Sequence, residues 1–168
     1  MNILTVNLLL STVVFWIAAR IYVVPNVRRW GHERVLTPIL LLHALRQLGL
    51  MFLAPGATYP GLPPAFARPA AFGDLVAALL ALASLAAVRR SHPSARLLVW
   101  IFNVEGTLDL LLATTLATVN HAAPYMGPAY WIPAFWVPAL LVTHYITFVV
   151  LLERWPDGPP LLDDRSAR

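Results

Sequence analysis

Two reactive residue types are missing from this chain, which contains no cysteine and no lysine. Without cysteine there can be no disulfide, no thiol redox chemistry, no thiolate metal ligand and no haem attached through a cysteine motif. Without lysine there can be no Schiff base of the kind that holds retinal. The chain also has no GxSxG, phosphate-loop or Walker motif, so no reaction is predicted from a motif alone.

Charge is also scarce. Only 12% of the 168 residues are charged, whereas 59% are hydrophobic, which is unlike the composition of a soluble domain. The apolar runs are continuous and about 20 residues long, the length that an α-helix needs to cross a bilayer. The strands of membrane barrels alternate apolar and polar residues instead. We therefore predict an all-α integral membrane protein.

Five apolar runs predict a bundle of five transmembrane helices. The runs cover residues 2–24, 35–53, 70–88, 96–120 and 128–152. The first run has no basic segment before it and is too long for the apolar part of a signal peptide, so we interpret it as an uncleaved span. Residues 1–152 then form a single transmembrane domain, and residues 153–168 form a polar cytoplasmic tail.

Arginine is distributed unevenly between the loops. The loops after the first and third runs carry clusters of arginine, whereas the loops after the second and fourth runs carry a single arginine between them. Arginine-rich loops stay in the cytoplasm. We therefore predict an outside amino terminus and a cytoplasmic carboxyl terminus, in the cytoplasmic (inner) membrane of a bacterium. The net charge of +4 reflects these loops and predicts no binding of nucleic acid.

Charged residues inside the apolar runs indicate a candidate site, because a charge at the middle of a membrane helix costs about 2.5 kcal/mol or more. A rise of about 1.5 Å per residue allows depths on different runs to be compared. Arg46 and Asp109 fall at one central depth, which predicts an ion pair that either locks two helices together or takes part in the site. His43, Glu105 and His144 fall about 3–5 Å closer to the cytoplasm. Because Arg46 is used by Asp109, Glu105 needs a proton, a cation or a ligand.

The candidate residues divide into two sets. The candidate catalytic residues are Glu105, Asp109 and His144, and the candidate ligand-binding residues are His43, Arg46, Gln47, Asn103 and Trp136. His43 and Gln47 are four positions apart, which predicts that they share a helical face. Trp136 lies in an aromatic, proline-rich run that either anchors the interface or lines an opening for a ligand. Asp74, near the outer end of the third run, is interpreted as mainly structural.

A metal site is only weakly indicated. His43, Glu105 and His144 could bind a metal through imidazole and carboxylate groups, but the chain has neither an HExxH nor an ExxH spacing. Haem bound without a covalent link would require His43 and His144 to face each other across a flat slot. Hydrogen bonds between helices are the simpler interpretation of both histidines. We name no metal ligand and leave the cofactor unknown.

Three functions follow from these patterns. The first is a binding protein that holds a lipid-like or quinone-like molecule at the polar cluster. The second is an intramembrane acid/base enzyme, similar to an isomerase, that uses Glu105 or Asp109. The third is an accessory subunit of a larger membrane complex, or a homo-oligomer, in which the acids of the isolated chain face lipid. In size and number of spans the chain is similar to the tryptophan-rich sensory (translocator) family and the DoxX-like group, but no motif matches, so this resemblance implies no function.

Overall fold

The computed structural model describes residues 3–153 and 155, apart from the side chain of Arg28, and the regular structure in that part of the chain is helical. Five helices are long and apolar enough to cross a membrane, which confirms the predicted class and number of helices. These helices are α1 (Ile3–Asn26), α2 (His32–Leu53), α3 (Pro64–Arg89), α4 (Ala95–Val119) and α5 (Gly127–Glu153). The predicted tail lies almost entirely outside the described residues.

The central helix is α3, which packs against both α2 and α4. Its buried face is mostly alanine, and it includes Ala67, Ala70, Ala71, Ala77, Ala78 and Ala81. Such small side chains let helices approach closely. The helix begins at Pro64 and not at the predicted residue 70, because proline is tolerated in the first turn, where its missing N–H has no partner to lose. The prediction that residues 64–69 belong to an irregular loop is therefore wrong.

The first helix, α1, lies at the periphery and packs mainly against α5. None of its residues from Ile3 to Ala18 is buried. Large apolar side chains such as Leu10 and Val14 are exposed, as expected for a helix that faces lipid. Asn7 Nδ2 donates a hydrogen bond of 2.9 Å to Tyr130 Oη on α5. The molecule is therefore a four-helix bundle of α2–α5 with α1 attached to one side.

Three of the helices change type along their length, and α1 ends in a π-helical turn (Ala19–Val23) followed by a 3-10 turn (Val24–Asn26). The second is α-helical over His32–Ala44 and then 3-10 helical over Leu45–Leu53. The fifth contains a π-helical turn over Ile132–Trp136, in which the N–H of Val137 donates to the carbonyl of Ile132. This turn ends two residues before Pro138, which has no N–H to donate to the preceding turn. The missing donor at Pro138 therefore coincides with a π-helical turn.

The loops segregate to two ends of the bundle. The arginine-rich end comprises residues 27–31 and 90–94 with the adjoining helix ends, and the arginine-poor end comprises residues 54–63 and 120–126. At the arginine-rich end, Arg89 Nη1 donates to Glu33 Oε1 at 2.7 Å. At the arginine-poor end, the N–H of Tyr59 donates to the carbonyl of Tyr125 at 2.9 Å. The predicted grouping of the loops is confirmed, and which end faces the cytoplasm stays a prediction.

Apolar side chains form two cores, one toward each end of the bundle, and a small third cluster of Leu110, Val137 and Leu140. The core toward the arginine-rich end takes side chains from all five helices, including Leu36, Leu40, Val99, Phe102, Val150 and Leu151. The core toward the arginine-poor end is smaller and includes Phe52, Phe66, Met126 and several alanines. Buried polar side chains lie between the two cores.

Candidate functional site

The change of helix type in α2 decides which of its side chains point inward. A 3-10 helix has three residues per turn, so residues at i and i+3 lie above one another. His43, Arg46, Gly49 and Phe52 follow this spacing, and all four are buried. Gln47 is exposed. The prediction that His43 and Gln47 share a face is therefore wrong, because it assumed an α-helix throughout α2.

Arg46 is the centre of the polar layer and is only 1% exposed. Its Nη2 donates to Asp109 Oδ2 at 2.6 Å, which confirms the predicted contact. Its Nε donates to Asp74 Oδ1 at 2.7 Å. Its Nη1 donates to the carbonyl of Gly106 at 3.1 Å. One guanidinium therefore links α2, α3 and α4, and the three charged residues Asp74, Arg46 and Asp109 are called the charged triad below.

Sequence reasoning missed the part that Asp74 takes in this triad. With the helix starting at Pro64, Asp74 lies about 15 Å along α3, well inside the span and not at its outer end. Asp74 is 7% exposed, so its predicted position near the outer end of the third run is wrong. The paired prolines at 63 and 64 were the signal that could have found the earlier helix start, since proline is favoured at the first helical position.

Three glycines make room for the charged triad. A Cβ at Gly49 would overlap the carboxylate of Asp74, and a Cβ at Gly73 would overlap the carboxylate of Asp109. A Cβ at Gly106 would lie 2.7 Å from Arg46 Nη1 and 2.7 Å from His144 Cε1. Glycine normally weakens a helix. Its presence at these three positions therefore reflects the space that the polar layer needs.

His144 accepts a hydrogen bond from the triad. Arg46 Nη1 lies 3.4 Å from His144 Nε2, and since arginine can only donate, Nε2 is the acceptor. The other ring nitrogen, Nδ1, then donates to Asn103 Oδ1 at 2.7 Å. Asn103 Nδ2 donates in turn to the backbone carbonyl of His144 at 3.3 Å. This pattern assigns His144 as a neutral imidazole with its proton on Nδ1.

His43 has one satisfied ring nitrogen and one without a partner. Its Nε2 lies 2.9 Å from Thr143 Oγ1, and the single hydroxyl proton of Thr143 is directed at the carbonyls of Ala139 and Leu140. His43 Nε2 is therefore the donor. His43 Nδ1 is buried and has no hydrogen-bond partner among the described residues. In neutral His43 this atom carries a free lone pair.

The two histidine rings contact each other directly. Their centroids are 4.3 Å apart with the planes inclined at 55°, and Phe102 packs against both rings. This contact leaves no slot between His43 and His144, so the haem geometry considered above does not form. Among the described residues no group of three histidine, aspartate or glutamate side chains is arranged to hold a metal ion.

Glu105 and Trp136 lie near the layer with polar atoms unpaired. Glu105 is half-buried, and its Oε2 has no hydrogen-bond partner among the described residues. It lies one turn before Asp109 on α4 and next to Gly106. Trp136 packs against the cluster of Leu110, Val137 and Leu140, and its Nε1 also has no partner in the described part of the chain. Depth along the helix predicted that Glu105 lies near the layer, whereas Trp136 was assigned to an aromatic run at the interface or at an opening for a ligand. Neither unpaired atom was predicted.

A cavity of about 440 Å³ lies between α1 and the halves of α2–α5 that approach the arginine-poor end. We call it the α1 cavity. Its wall is almost entirely apolar and includes Leu8, Phe52, Ala113, Ala117 and Val137. On α3, α4 and α5 its deepest lining residues are Asp74, Leu110 and Val137. Among the described lining residues Asp74 is the only acid or arginine, so the charged triad meets the cavity at its inner end.

The predicted site residues do not line this cavity. Of the eight candidates, Arg46 contacts the lining residue Asp74, and Asp109 is joined to Arg46. His43, Asn103 and His144 lie on the side of the triad toward the arginine-rich end. The structure therefore brings together the predicted ion pair and the two histidines, and it adds Asp74. It leaves Gln47 outside the layer.

Comparison with known proteins assigns the chain to a family. No curated protein and no solved structure matches the chain significantly. The model of a family described as Domain of unknown function (DUF8737) matches residues 3–152. This range contains all five helices up to Leu152. The chain therefore belongs to the family with the description Domain of unknown function (DUF8737).

Proposed function

We propose that this protein binds a small hydrophobic or amphipathic molecule, lipid-like in character, in the α1 cavity. The observation that carries the proposal is an apolar cavity that ends on a buried charged group. Ligand sites typically enclose about 300–1,000 Å³ and combine apolar walls with a few polar groups, and the α1 cavity has about 440 Å³ and ends at Asp74. In this proposal Asp74, held by Arg46, receives the polar part of the ligand.

The peripheral position of α1 supports the same function. This helix contributes Leu4, Thr5, Leu8 and Leu9 to the cavity wall, yet none of the residues from Ile3 to Ala18 is buried. A wall that packs loosely can move aside at low cost, because few buried contacts are lost. A ligand dissolved in the bilayer would therefore reach the cavity by displacement of α1.

A matched pair of threonines on α4 tests this function. Thr114 lines the α1 cavity, whereas its neighbour Thr115 does not, and both donate to a carbonyl one turn earlier at 2.8 Å. The T114F side chain would fill the cavity, and the T115F side chain would point away from it. Native mass spectrometry of protein purified in mild detergent should show a bound small molecule in the parent and in T115F, and none in T114F.

Two results would contradict the binding function. One is the same bound mass in all three proteins, since the molecule would then sit on the outer surface. The other is a parent that carries no bound mass even after incubation with a twelve-carbon amine or alcohol. Circular dichroism of both variants serves as the control for folding.

An intramembrane acid/base enzyme is the second candidate function. It is favoured by the buried atoms without partners, His43 Nδ1 and Glu105 Oε2, since a proton acceptor must be free to accept. In this function Glu105 or Asp109 exchanges a proton with a hydrophobic substrate. Incubation of membrane lipid extract with the parent should yield a product that the double variant E105Q and D109N does not yield. An unchanged lipid profile with the parent would remove this candidate.

The accessory-subunit function receives less support. It expects acids that face lipid in the isolated chain, whereas Asp74 and Asp109 are buried and Glu105 is half-buried. We retain the bacterial cytoplasmic membrane as the proposed location, with the arginine-rich end in the cytoplasm. The α1 cavity would then lie in the outer half of the bilayer.

A further inference from the structure

The charged triad contains more negative than positive charge. Two carboxylates, Asp74 and Asp109, share the guanidinium of Arg46. The histidine that contacts the triad, His144, is neutral by its hydrogen-bond pattern. Glu105, one turn from Asp109, adds a further acid to the layer. An uncompensated charge in a membrane interior is costly, so the layer needs at least one more positive charge or a proton.

The inner part of the α1 cavity offers hydrogen-bond acceptors. The carboxylate of Asp74 can only accept when it is ionised. The hydroxyl proton of Thr114 is donated to the carbonyl of Leu110, which leaves its lone pairs available. Its neighbour along the wall, Thr118, likewise donates to the carbonyl of Thr114.

The π-helical turn of α5 borders the cavity and has fewer backbone N–H donors than carbonyl acceptors. The N–H of Val137 is used by the carbonyl of Ile132, and Pro138 has no N–H. Fewer backbone N–H groups than carbonyls therefore remain to pair with Pro133 and Ala134 in the helix. Pro133 lines the α1 cavity, and it contributes no N–H of its own. Helix turns of this kind are frequent at functional sites.

We infer that the ligand of the α1 cavity is a cationic amphipath, with a protonated amine beside Asp74 and an apolar chain along the wall toward the arginine-poor end. This inference rests on the proposed function and names the chemical class of its ligand. An ammonium group supplies three donors and no acceptor, which complements a site of acceptors. Its charge also balances the surplus carboxylate of the charged triad.

Other head groups fit this site less well. A quinone presents only carbonyl acceptors, which would face the acceptors of Asp74 and Thr114. A fatty acid would add a second negative charge beside Asp74. An alcohol supplies one donor but no charge, so it would bind more weakly than the amine. The quinone-like ligand considered from the sequence is therefore disfavoured, and the lipid-like ligand is narrowed to one that carries an amine.

The test is a head-group series with one chain length. Dodecylamine, dodecanol and dodecanoate would be titrated into the purified protein at pH 7, with binding measured by native mass spectrometry. We expect the amine to bind about tenfold or more tighter than the alcohol, and the dodecanoate to bind weakest. In D74N the preference for the amine over the alcohol should fall to about threefold or less. E33Q removes an acid at the arginine-rich end, and it should leave the preference unchanged.

The outcomes separate the two proposals. Equal binding of the amine and the alcohol, or tighter binding of dodecanoate, would overturn the amine inference and leave the binding function standing. Binding of none of the three would overturn both. Equal loss of the preference for the amine in E33Q and D74N would also overturn the inference. The preference would then depend on the net charge of the protein and not on Asp74. If D74N does not fold, the inference is still tested by two results. One is the order in which the parent binds the three compounds, and the other is the loss of amine binding in T114F.

Discussion

The two halves of the bundle differ in how completely they are packed. Toward the arginine-rich end, large side chains from all five helices form a continuous core, with Leu36, Leu40 and Val99 fully buried. Toward the arginine-poor end, the helices contribute mainly alanines and a few aromatic rings, and α1 stands beside a cavity of about 440 Å³. The charged triad lies at the boundary. One half packs the helices tightly together, and the other encloses open space.

The largest expected effect on stability comes from removing Arg46, which holds the charged triad together between the two halves. R46M leaves two buried carboxylates without a partner, and breaking a buried ion pair in this way costs about 3–5 kcal/mol. R89M is the matched control, because the Arg89–Glu33 pair is exposed and such pairs contribute about 0–1 kcal/mol. The free energy of unfolding in mixed detergent measures both. Adding D74N and D109N to R46M should restore much of the lost free energy of unfolding. Equal effects of R46M and R89M would show that the charged triad is not buried as described.

The next largest effect is expected from shortening a side chain in each half of the bundle. L36A removes a fully buried side chain of the packed half and should cost about 2–5 kcal/mol, because a cavity is left behind. L8A removes a half-buried side chain that already borders the α1 cavity, so its cost should be clearly smaller. Unfolding measurements on the two variants give the comparison. A loss in L8A as large as that in L36A would mean that the α1 cavity is not present in solution.

A smaller effect is expected from G73A. Alanine normally improves a helix by up to about 1 kcal/mol relative to glycine. At this position its Cβ would overlap the carboxylate of Asp109, and such overpacking costs about 1–3 kcal/mol. A83V, which adds bulk on the exposed face of the same helix, is the control. Stabilisation by G73A would show that Asp109 does not lie against α3.

The smallest effect concerns the attachment of α1. N7A removes the hydrogen bond to Tyr130, and one such bond contributes about 0.5–1.5 kcal/mol. Hydrogen exchange should increase in α1 and stay unchanged in α4. Equal exchange in the parent and in N7A would indicate that α1 is held by other contacts.

Much of this architecture could be predicted from the sequence. Each apolar run is long enough to define a helix by itself, and the arginine clusters alternate from loop to loop. The Arg46–Asp109 contact followed from depth alone, because a fixed rise per residue relates positions on different helices. The proximity of His43 to His144 followed from the same argument.

The remaining features depend on local backbone geometry or on tertiary packing. Gln47 was misplaced because the change to a 3-10 helix at Leu45 rotates the later residues relative to an α-helix. Asp74 was misplaced because the start of α3 was predicted at residue 70 and not at Pro64. The α1 cavity could not be predicted, because the apolar residues of α1 surround the helix and its weak amphipathic character does not specify which face packs.

The most direct test of the central claim locates a bound molecule within the protein. A crystal structure grown with 12-bromododecylamine would show the bromine by its anomalous scattering. We expect a peak in the α1 cavity, among Leu8, Ala113 and Ala117, with the amine within hydrogen-bond distance of Asp74. Bromine found only on the exterior of the helices, with the space between α1 and α4 filled by protein side chains, would contradict this expectation.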